Sequence, residues 1–270
     1  MKHCHFSILC NEIAFLKQKL PFMYKHFDQL IFFDLNIKTM EFSDDGSHEF
    51  IKNFPDPENK ITLIEKKNLD DITDYRGISF IQKRQMFAEG SKYVRDDMDV
   101  FWCTDMDEFF EESLIRKVED YFNTTDKATI IVPHIVFFKN EKYVFTRNEK
   151  DGERWPLPWA RITRHKKGNI YGHCSLNQQF GPVGSINDDQ IFHFSYVGYE
   201  KIRNKLKMYG HAGWVADIWE KFKESNLRFV GPYKIHGFPK MHPAVHRGIK
   251  LNTAKIPSYI NVKEMIKDLK

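Results

Sequence analysis

Two aspartates that follow a short apolar stretch are the residues of this chain best suited to chemistry. Asp105 and Asp107 come directly after Asp99-Val100-Phe101-Trp102-Cys103-Thr104, an apolar run typical of a parallel strand covered on both faces. At the carboxyl end of a strand, residues i and i+2 can project from the same side, so both carboxylates would lie at the mouth of a sheet crevice. Mg²⁺ or Mn²⁺ held by a few carboxylates keeps positions open for the phosphate oxygens of a substrate. The pattern therefore predicts a divalent metal site.

The elements that would position these aspartates alternate between strands and helices through the first half of the chain. Ile13, Leu16, Leu20, Met23 and Phe27 are spaced by three or four residues, which predicts a helix with one buried face. Similar patterns predict strands at 5–10, 30–34, 61–65, 99–104 and 128–138, and helices at 13–27, from 47, at 78–90 and at 114–122. This alternation favours the α/β class, with a Rossmann-like sheet flanked by helices and ligands at the carboxyl ends of its strands.

In the second half the alternation ends. Short strand-like pieces remain at 160–164 and 190–196, among stretches rich in Gly, Pro, Trp and charged residues, and a helix is predicted from Gly198. Irregular segments of this kind often shape binding sites. We therefore expect two halves of one continuous domain, residues 1–140 and residues 141–270, the second forming an irregular acceptor region.

Composition excludes several classes of protein. Forty-one Lys and Arg against 37 Asp and Glu give a net charge of +4, which is too small for a protein that coats nucleic acid. The four cysteines are scattered without metal-binding or disulfide spacing, which indicates a reducing compartment. No stretch approaches the ~18 apolar residues of a membrane span, and no signal segment opens the chain. We expect a cytoplasmic protein that binds no nucleic acid and has no transmembrane segment.

The order of landmarks over residues 1–140 resembles the nucleotide-sugar domain of the GT-A glycosyltransferases, whose fourth strand ends in D-x-D. Asn11-Glu12 follows the first predicted strand, Asp34 ends the second, and Asp45-Gly46-Ser47 precedes a helix. The resemblance implies a mixed sheet, and it assigns nucleotide-sugar binding to Asn11, Glu12, Asp34, Asp45 and Asp105. The family usually joins its strand-two acid directly to D-G-S, whereas about ten residues separate Asp34 from Asp45 here. Which of these two acids contacts the nucleotide is therefore open.

A narrower resemblance lies in the second half. The stretch Ile191-Phe192-His193-Phe194-Ser195-Tyr196, followed by Lys201-x-Arg203-Asn204-Lys205-Leu206 and Gly210-His211, is similar to glycosyltransferase 17 proteins. A broader likeness extends to the glycosyltransferase 2-like families. The resemblance implies that His193 is a third metal ligand beside Asp105 and Asp107.

Cations must also neutralise the diphosphate as the glycosidic bond breaks. Lys205, His211 and Arg84 are the candidates, and we interpret Lys201 and Lys207 as ordinary solvated charges.

A transfer of this type needs a general base that takes the proton from the acceptor hydroxyl. Asp188 and Asp189, just before the predicted strand at 190–196, are the candidates. The resemblance therefore implies a metal-dependent, inverting hexosyltransferase. Its donor would be a nucleoside diphosphate sugar, with UDP favoured, and its acceptor a hydroxyl of a glycan, glycolipid or glycoprotein.

Two other functions stay open. Haloacid-dehalogenase-like phosphatases also end an apolar strand in D-x-D, with the first Asp as nucleophile. In those phosphatases the strand lies near the N-terminus, and Thr or Val stands two positions after the second Asp. This chain has Phe109 at that position. A non-catalytic sugar-binding protein could use the basic helix predicted from Gly198 and the aromatic residues without turnover.

Overall fold

The computed structural model describes residues 1–36, 39–68, 78–149, 152–154, 157–171, 181–198, 201, 229–230, 233–237 and 256–269. The helices are α1 Ile13–His26, α2 Ser47–Lys52, α3 Ile78–Ser91, α4 Glu112–Thr124 and α5 Val262–Asp268. The strands of the amino-terminal part are β1 His3–Leu9, β2 Gln29–Asp34, β3 Ile61–Ile64, β4 Val100–Cys103 and β5 Glu108–Phe109. The later strands are β6 Thr129–Glu149, β7 Gly152–Arg154, β8 Leu157–Arg164, β9 Val183–Ser185, β10 Ile191–Val197, β11 Phe229–Val230 and β12 Tyr233–Gly237.

The chain divides into two compact units, neither of which is a single stretch of sequence. The first comprises Met1–Met106, Arg116–Ile131 and Ala160–Gly184, and the second comprises Asp107–Ile115, Val132–Trp159 and Ser185–Lys270. A cut at residue 140, where we expect the two halves to meet, does not separate these units, because the chain passes between them several times.

The first unit contains the parallel strands that the alternation predicts. Strands β3, β2, β1 and β4 are neighbours in that order and all parallel, with Phe6 of β1 paired with Ile31 and Cys103 on either side. The residues of β8 that belong to this unit pair antiparallel with β4, Trp102 opposite Ile162. This 3-2-1-4 order with an antiparallel neighbour is a Rossmann-like mixed sheet. Helix α3 packs against β2, and the predicted α/β class is confirmed.

The core of the first unit explains why these segments fold as they do. All six residues of β2 are buried, as expected of a strand with both faces covered. On α1 the buried face includes Leu16, Leu20 and Met23, at the helical spacing that the sequence shows. The predicted apolar periodicity therefore corresponds to real burial.

The second unit is more regular than the sequence suggests. Strand β6 continues to Glu149, well past the predicted end at residue 138, and forms an antiparallel pair with β7. Strand β10 lies parallel to β6, with Phe192 opposite Ile135, and antiparallel to the two-residue strand β5. On a separate stretch of β6, β12 pairs with it in antiparallel register, and β11 pairs with β12. The irregular region expected after residue 140 is therefore partly a sheet, because long-range pairing orders segments that lack a clear local period.

Of the predicted helix from Gly198, only Gly198 and Lys201 are described, and the rest of that prediction lies outside the described residues. Across the part of the chain that the structure describes, no helix has the length and apolar character needed to cross a membrane.

Gly90 lies in the last turn of α3, where the sequence pattern predicts the helix end. The helix continues to Ser91, and packing explains the glycine: a Cβ at position 90 would lie 2.0 Å from Cε2 of the buried Phe6 ring. The close approach of α3 to β1 therefore requires a residue without a side chain.

We expect Gly90→Ala to destabilise the protein by about 1–3 kcal/mol, because the added methyl group overpacks the core against Phe6. Urea unfolding followed by circular dichroism measures this cost. In a Phe6→Leu background the same substitution should cost clearly less, because the smaller side chain leaves room. Equal costs in the two backgrounds would contradict this explanation.

Candidate functional site

Asp105 follows β4 in the first unit, where a buried arginine holds its carboxylate. Arg161 Nη2 donates to Asp105 Oδ2 at 3.3 Å, and the Arg161 side chain is 2% exposed against 27% for Asp105. The Asp105 carboxylate therefore remains partly open to solvent, while the buried guanidinium group of Arg161 balances its charge.

A buried network holds the backbone at the end of β4. Lys19 of α1 is fully buried, and its Nζ donates to Thr104 Oγ1 at 2.9 Å and to the Asp105 carbonyl at 2.7 Å. His5 Nε2 lies 2.6 Å from the same Thr104 hydroxyl, and Ser7 Oγ donates to the Thr104 carbonyl. Burial, followed by the Lys19 charge, lowers the pKa of His5 well below its usual value. His5 is thus neutral, and Lys19 brings the positive charge to this turn.

Asp107 lies in the second unit and contacts a different set of partners. Its Oδ1 lies 3.3 Å from His193 Nε2, and its Oδ2 accepts a hydrogen bond of 2.8 Å from Lys201 Nζ. The three side chains are 2%, 8% and 7% exposed, respectively. A carboxylate, an imidazole and an ammonium group therefore meet in a site almost closed to water, and we call these three residues the Asp107 cluster.

The short ladder between β5 and β10 sets the geometry of the Asp107 cluster. His193 pairs with Glu108, and the Phe194 amide donates to the Asp107 carbonyl at 2.8 Å. This pairing places Asp107, which directly precedes β5, beside His193 on the neighbouring strand. The fold thus brings two of the predicted metal ligands, Asp107 and His193, together, while the third, Asp105, belongs to the other unit.

Two more ionisable groups, Glu108 and His134, lie close to the Asp107 cluster. Glu108 and His134 are both fully buried, and Glu108 Oε1 lies 3.8 Å from His193 Nδ1 and from His134 Nε2. His134 Nδ1 donates to the Val132 carbonyl at 2.8 Å, which fixes the orientation of the ring. Neither Glu108 nor His134 stands out in the sequence, because Glu108 only extends the acidic run after Asp107 and His134 lies within an otherwise apolar strand pattern.

The Asp107 cluster can offer two donors to a divalent cation. An aspartate oxygen and an imidazole nitrogen are both ligands that Mn²⁺ accepts. Within the described residues, no three His, Cys, Asp or Glu side chains converge closely enough to hold an ion by themselves. The donor set therefore fits a cation that takes its remaining ligands from substrate and water, as Mg²⁺ commonly does.

The predicted nucleotide residues of the first unit tie two loops together. Asn11 Nδ2 donates to Asp44 Oδ1 at 2.7 Å, and the Asp44 amide donates back to Asn11 Oδ1 at 3.0 Å. Asp45 accepts from the Ile13 amide, at the start of α1, and from the Ser47 amide, each at 2.9 Å. Asn11 has φ of 56°, a left-handed conformation that asparagine tolerates well. Asp45 thus accepts a hydrogen bond from the first residue of each of two helices, and local sequence does not reveal its contact with α1.

Asp34 is buried at the end of β2, and both oxygens of its carboxylate have polar partners. Ser43 donates to it through its amide and, at 2.6 Å, through its hydroxyl, and His48 Nδ1 lies 2.7 Å from Asp34 Oδ2. His48 Nε2 lies 3.0 Å from Glu65 Oε1, so this imidazole bridges two carboxylates. A nucleotide that used Asp34 would have to replace Ser43 or His48.

Several carboxylates lie near the Cys10 thiol at these loops. Burial, followed by repulsion from Glu12, Asp34, Asp45 and Asp44, raises the pKa of the Cys10 thiol to about 12. Such an environment repels phosphate groups and attracts hydrogen-bond donors. The loops of Asn11 and Asp45 therefore suit ribose hydroxyls or the N–H groups of a base better than they suit phosphate.

The two predicted general bases lie next to each other in the second unit. Asp188 is exposed, whereas Asp189 is half-buried and accepts hydrogen bonds of 2.8 Å from Ser113 Oγ and from the Gln190 amide. Burial and the negative charge of Asp189 raise the pKa of Glu111 above its usual value. Glu111 is thus a carboxyl group near Asp189 that the sequence analysis missed, because nothing in its local pattern sets it apart from other surface acids.

The candidate cations differ in whether the structure describes them and where it places them. Arg84 lies on α3, whereas Lys205, His211 and Lys207 lie outside the described residues. Our interpretation of Lys201 as a solvated charge is wrong, because it is buried against Asp107. Lys19 could have been found from sequence: it lies three residues after Leu16 and four before Met23, within the apolar stripe of α1.

No family model matches this chain, and no curated protein matches it significantly. Among solved structures, S. aureus TarS 1-349 aligns with 84% of this chain and 74% of its own, at 12% identity and a TM-score of 0.45. The same fragment in complex with UDP-GlcNAc aligns over the same shares at 9% identity and 0.44. The 4-diphosphocytidyl-2C-methyl-D-erythritol synthase from Anaerococcus prevotii covers 68% of this chain and 88% of its own, at 9% identity and 0.38. At these identities and TM-scores, the likenesses carry no argument about activity.

We expect Lys19→Met to lower the free energy of unfolding by about 2 kcal/mol, because it leaves the buried Thr104 hydroxyl and Asp105 carbonyl without this donor. Chemical denaturation measures the loss. Lys17→Met, on the exposed side of the same helix, is the matched control and should change stability by less than about 0.5 kcal/mol. Similar losses in the two variants would show that the network does not hold this turn.

Glu111→Gln should stabilise the protein at neutral pH. Because the folded-state pKa of Glu111 is raised, its charged form costs stability once the pH rises above the unfolded value, and the cost disappears at low pH. The melting temperature of the variant should therefore exceed that of the wild type at pH 7 and equal it at pH 3.

Glu112→Gln, at the neighbouring position, is a control that should not raise the stability of the protein. Glu112 is an acid in the first turn of α4, where its charge interacts favourably with the helix dipole, so its replacement should not stabilise the protein at pH 7. A gain in both variants would point to general charge repulsion instead of the local effect of Asp189.

Proposed function

We propose that this chain is a glycosyltransferase that moves a sugar from a nucleoside diphosphate sugar to a hydroxyl group of a glycan, glycolipid or glycoprotein. The observation that carries the proposal is the Asp107 cluster. In it, the second aspartate of the D-x-D pattern contacts an imidazole and an ammonium group. Such a set can bind a cation and an anion side by side, which a diphosphate leaving group requires. The resemblance to the GT-A glycosyltransferases favours UDP as the carrier and an inverting transfer.

Metal dependence is part of the same proposal. Asp107 and His193 would hold Mn²⁺ or Mg²⁺, and Asp105 stays a predicted ligand. When bound, such an ion acts as a Lewis acid that stabilises the charge developing on the leaving diphosphate. The low exposure of Asp107 and His193 strengthens every electrostatic interaction made there, because little water screens them.

The acidic loops of the first unit suit the neutral part of a nucleotide. Asn11 offers an amide, and Asp44 and Asp45 are exposed carboxylates that accept hydrogen bonds. The carboxylates that, after burial, contribute to the raised pKa of Cys10 also disfavour phosphate at this position. We therefore assign recognition of the base or ribose, and not of the diphosphate, to these loops.

The acceptor hydroxyl must lose its proton as it attacks the anomeric carbon. Asp189 is our proposed general base, since it is half-buried and held in place by Ser113. Glu111 is the alternative, because its raised pKa makes its carboxylate a stronger base than an ordinary glutamate. Activity profiles of Asp189→Asn and Glu111→Gln against pH distinguish the two, because only loss of the base removes the ascending limb.

The proposal predicts a nucleotide-specific thermal shift. UDP, GDP, CDP and their sugars are screened one by one with and without Mn²⁺, and one of these nucleotides at 100 times its dissociation constant should stabilise the protein by about 2.7 kcal/mol. For a chain of this size that corresponds to a rise of roughly 5 °C in Tm. Asp107→Asn should lose the part of the shift that depends on Mn²⁺.

Asp120→Asn is the control, because Asp120 is an exposed acid on α4. It should keep the full shift. If no nucleotide changes the Tm of the wild type, the transferase proposal fails. Binding of a nucleotide sugar without release of UDP in the presence of glycan acceptors would instead favour a non-catalytic sugar-binding protein, and release of inorganic phosphate from small phosphate esters would favour a phosphatase.

A further inference from the structure

Lys201 occupies a position on Asp107 where a bound cation would also be drawn. Its Nζ lies 2.8 Å from Asp107 Oδ2, and the two side chains are 7% and 2% exposed. His193 Nε2 lies beside the other oxygen, Oδ1. One oxygen of the carboxylate is thus hydrogen-bonded to a positively charged ammonium group, and the other lies close to an imidazole.

A buried carboxylate needs such a partner. Removing an ionised group from water is costly unless a compensating charge and hydrogen bonds accompany it. In the protein without a metal ion, Lys201 supplies that charge to Asp107. A divalent ion bound to Asp107 would supply it instead, and repulsion between the ion and an ammonium group held this close disfavours their presence together on one carboxylate.

The chemistry of lysine suits an exchange of this kind. An ammonium group is a compact charge on a flexible four-carbon stem, and it makes a single-point contact with a carboxylate. An arginine would hold the carboxylate with a rigid two-pronged fork and would be harder to displace. Lys201 can therefore leave Asp107 without rearrangement of the strands that position Asp107 and His193.

We propose that Lys201 is an internal competitor for the divalent cation at Asp107, which holds the carboxylate when the ion is absent and yields to it when the ion binds. This inference rests on the proposed function, since it concerns the cation of the same site. The displaced ammonium group is then available to an anionic group of the substrate. The competition makes the ion-free protein a poor binder of free metal, and it favours binding of the ion together with a diphosphate that can pair with the released lysine.

The size of the effect follows from population arithmetic. An apparent dissociation constant is the intrinsic constant divided by the fraction of protein that is competent to bind. If Lys201 occupies Asp107 about nine-tenths of the time, its removal tightens metal binding about tenfold. The same reasoning predicts that a side chain at position 201 which holds Asp107 more firmly than lysine weakens metal binding.

The test is a titration with Mn²⁺ alone, in which electron paramagnetic resonance measures the free ion. Lys201→Met should bind Mn²⁺ about tenfold more tightly than the wild type, and Lys201→Arg should bind it no more tightly than the wild type. Lys263→Met, which removes an exposed lysine from α5 of the same unit, should leave the affinity unchanged. Asp107→Asn in the Lys201→Met background should remove the gain.

A second measurement guards against loss of folding. Lys201→Met leaves the Asp107 carboxylate buried without its ammonium partner, so its Tm should fall, and Mn²⁺ should raise that Tm more than it raises the wild-type Tm. Equal or weaker Mn²⁺ affinity in Lys201→Met overturns the inference, as does a Tm response equal to that of the wild type.

The outcomes also separate this inference from the proposed function. Unchanged Mn²⁺ affinity in Lys201→Met together with intact UDP binding overturns only the role of Lys201. If no nucleotide binds to the wild type or to any variant, the transferase proposal fails, and the Mn²⁺ titration alone then decides whether Lys201 competes with a metal ion.

Discussion

The site depends on one physical constraint: an ionised carboxylate that is removed from water must be paired. Asp107 meets this constraint through Lys201 and His193, one on each oxygen, and the two-residue ladder between β5 and β10 holds it there. Since each member of the Asp107 cluster is almost closed to solvent, a change in any one charge is felt strongly by the other two.

The same constraint organises the ends of the strands in the first unit. Arg161 accompanies Asp105, Lys19 is buried against the turn that precedes it, and His48 lies between Asp34 and Glu65. Buried polar groups that satisfy one another in this way rigidify their surroundings. The turn after β4 and the loop after β2 are thus held by side chains from distant parts of the sequence.

Charge is distributed unevenly among the candidate binding groups. The loops of Asn11 and Asp45 carry a surplus of carboxylates, which, after burial, contribute to the raised pKa of Cys10. The Asp107 cluster contains an ammonium group and an imidazole around one acid. This uneven distribution agrees with the donor that we propose, since a nucleoside diphosphate has a neutral, donor-rich end and a highly charged end.

The sequence by itself determined the elements that have a local period and the positions that end them. It predicted β1 to β4 and α1 to within about two residues, because apolar spacing reports which face of an element is buried, and it placed Asp105 and Asp107 directly after a buried strand. It could not predict β5, which has only two residues, or the continuation of β6 to Glu149, because these exist through pairing with distant strands. Only the tertiary structure decided that Asp107 meets Lys201, 94 residues away, and that Lys201 is buried. A charged side chain has the same local sequence pattern in water and in a core, and the partner that makes its burial tolerable is brought to it only by the fold.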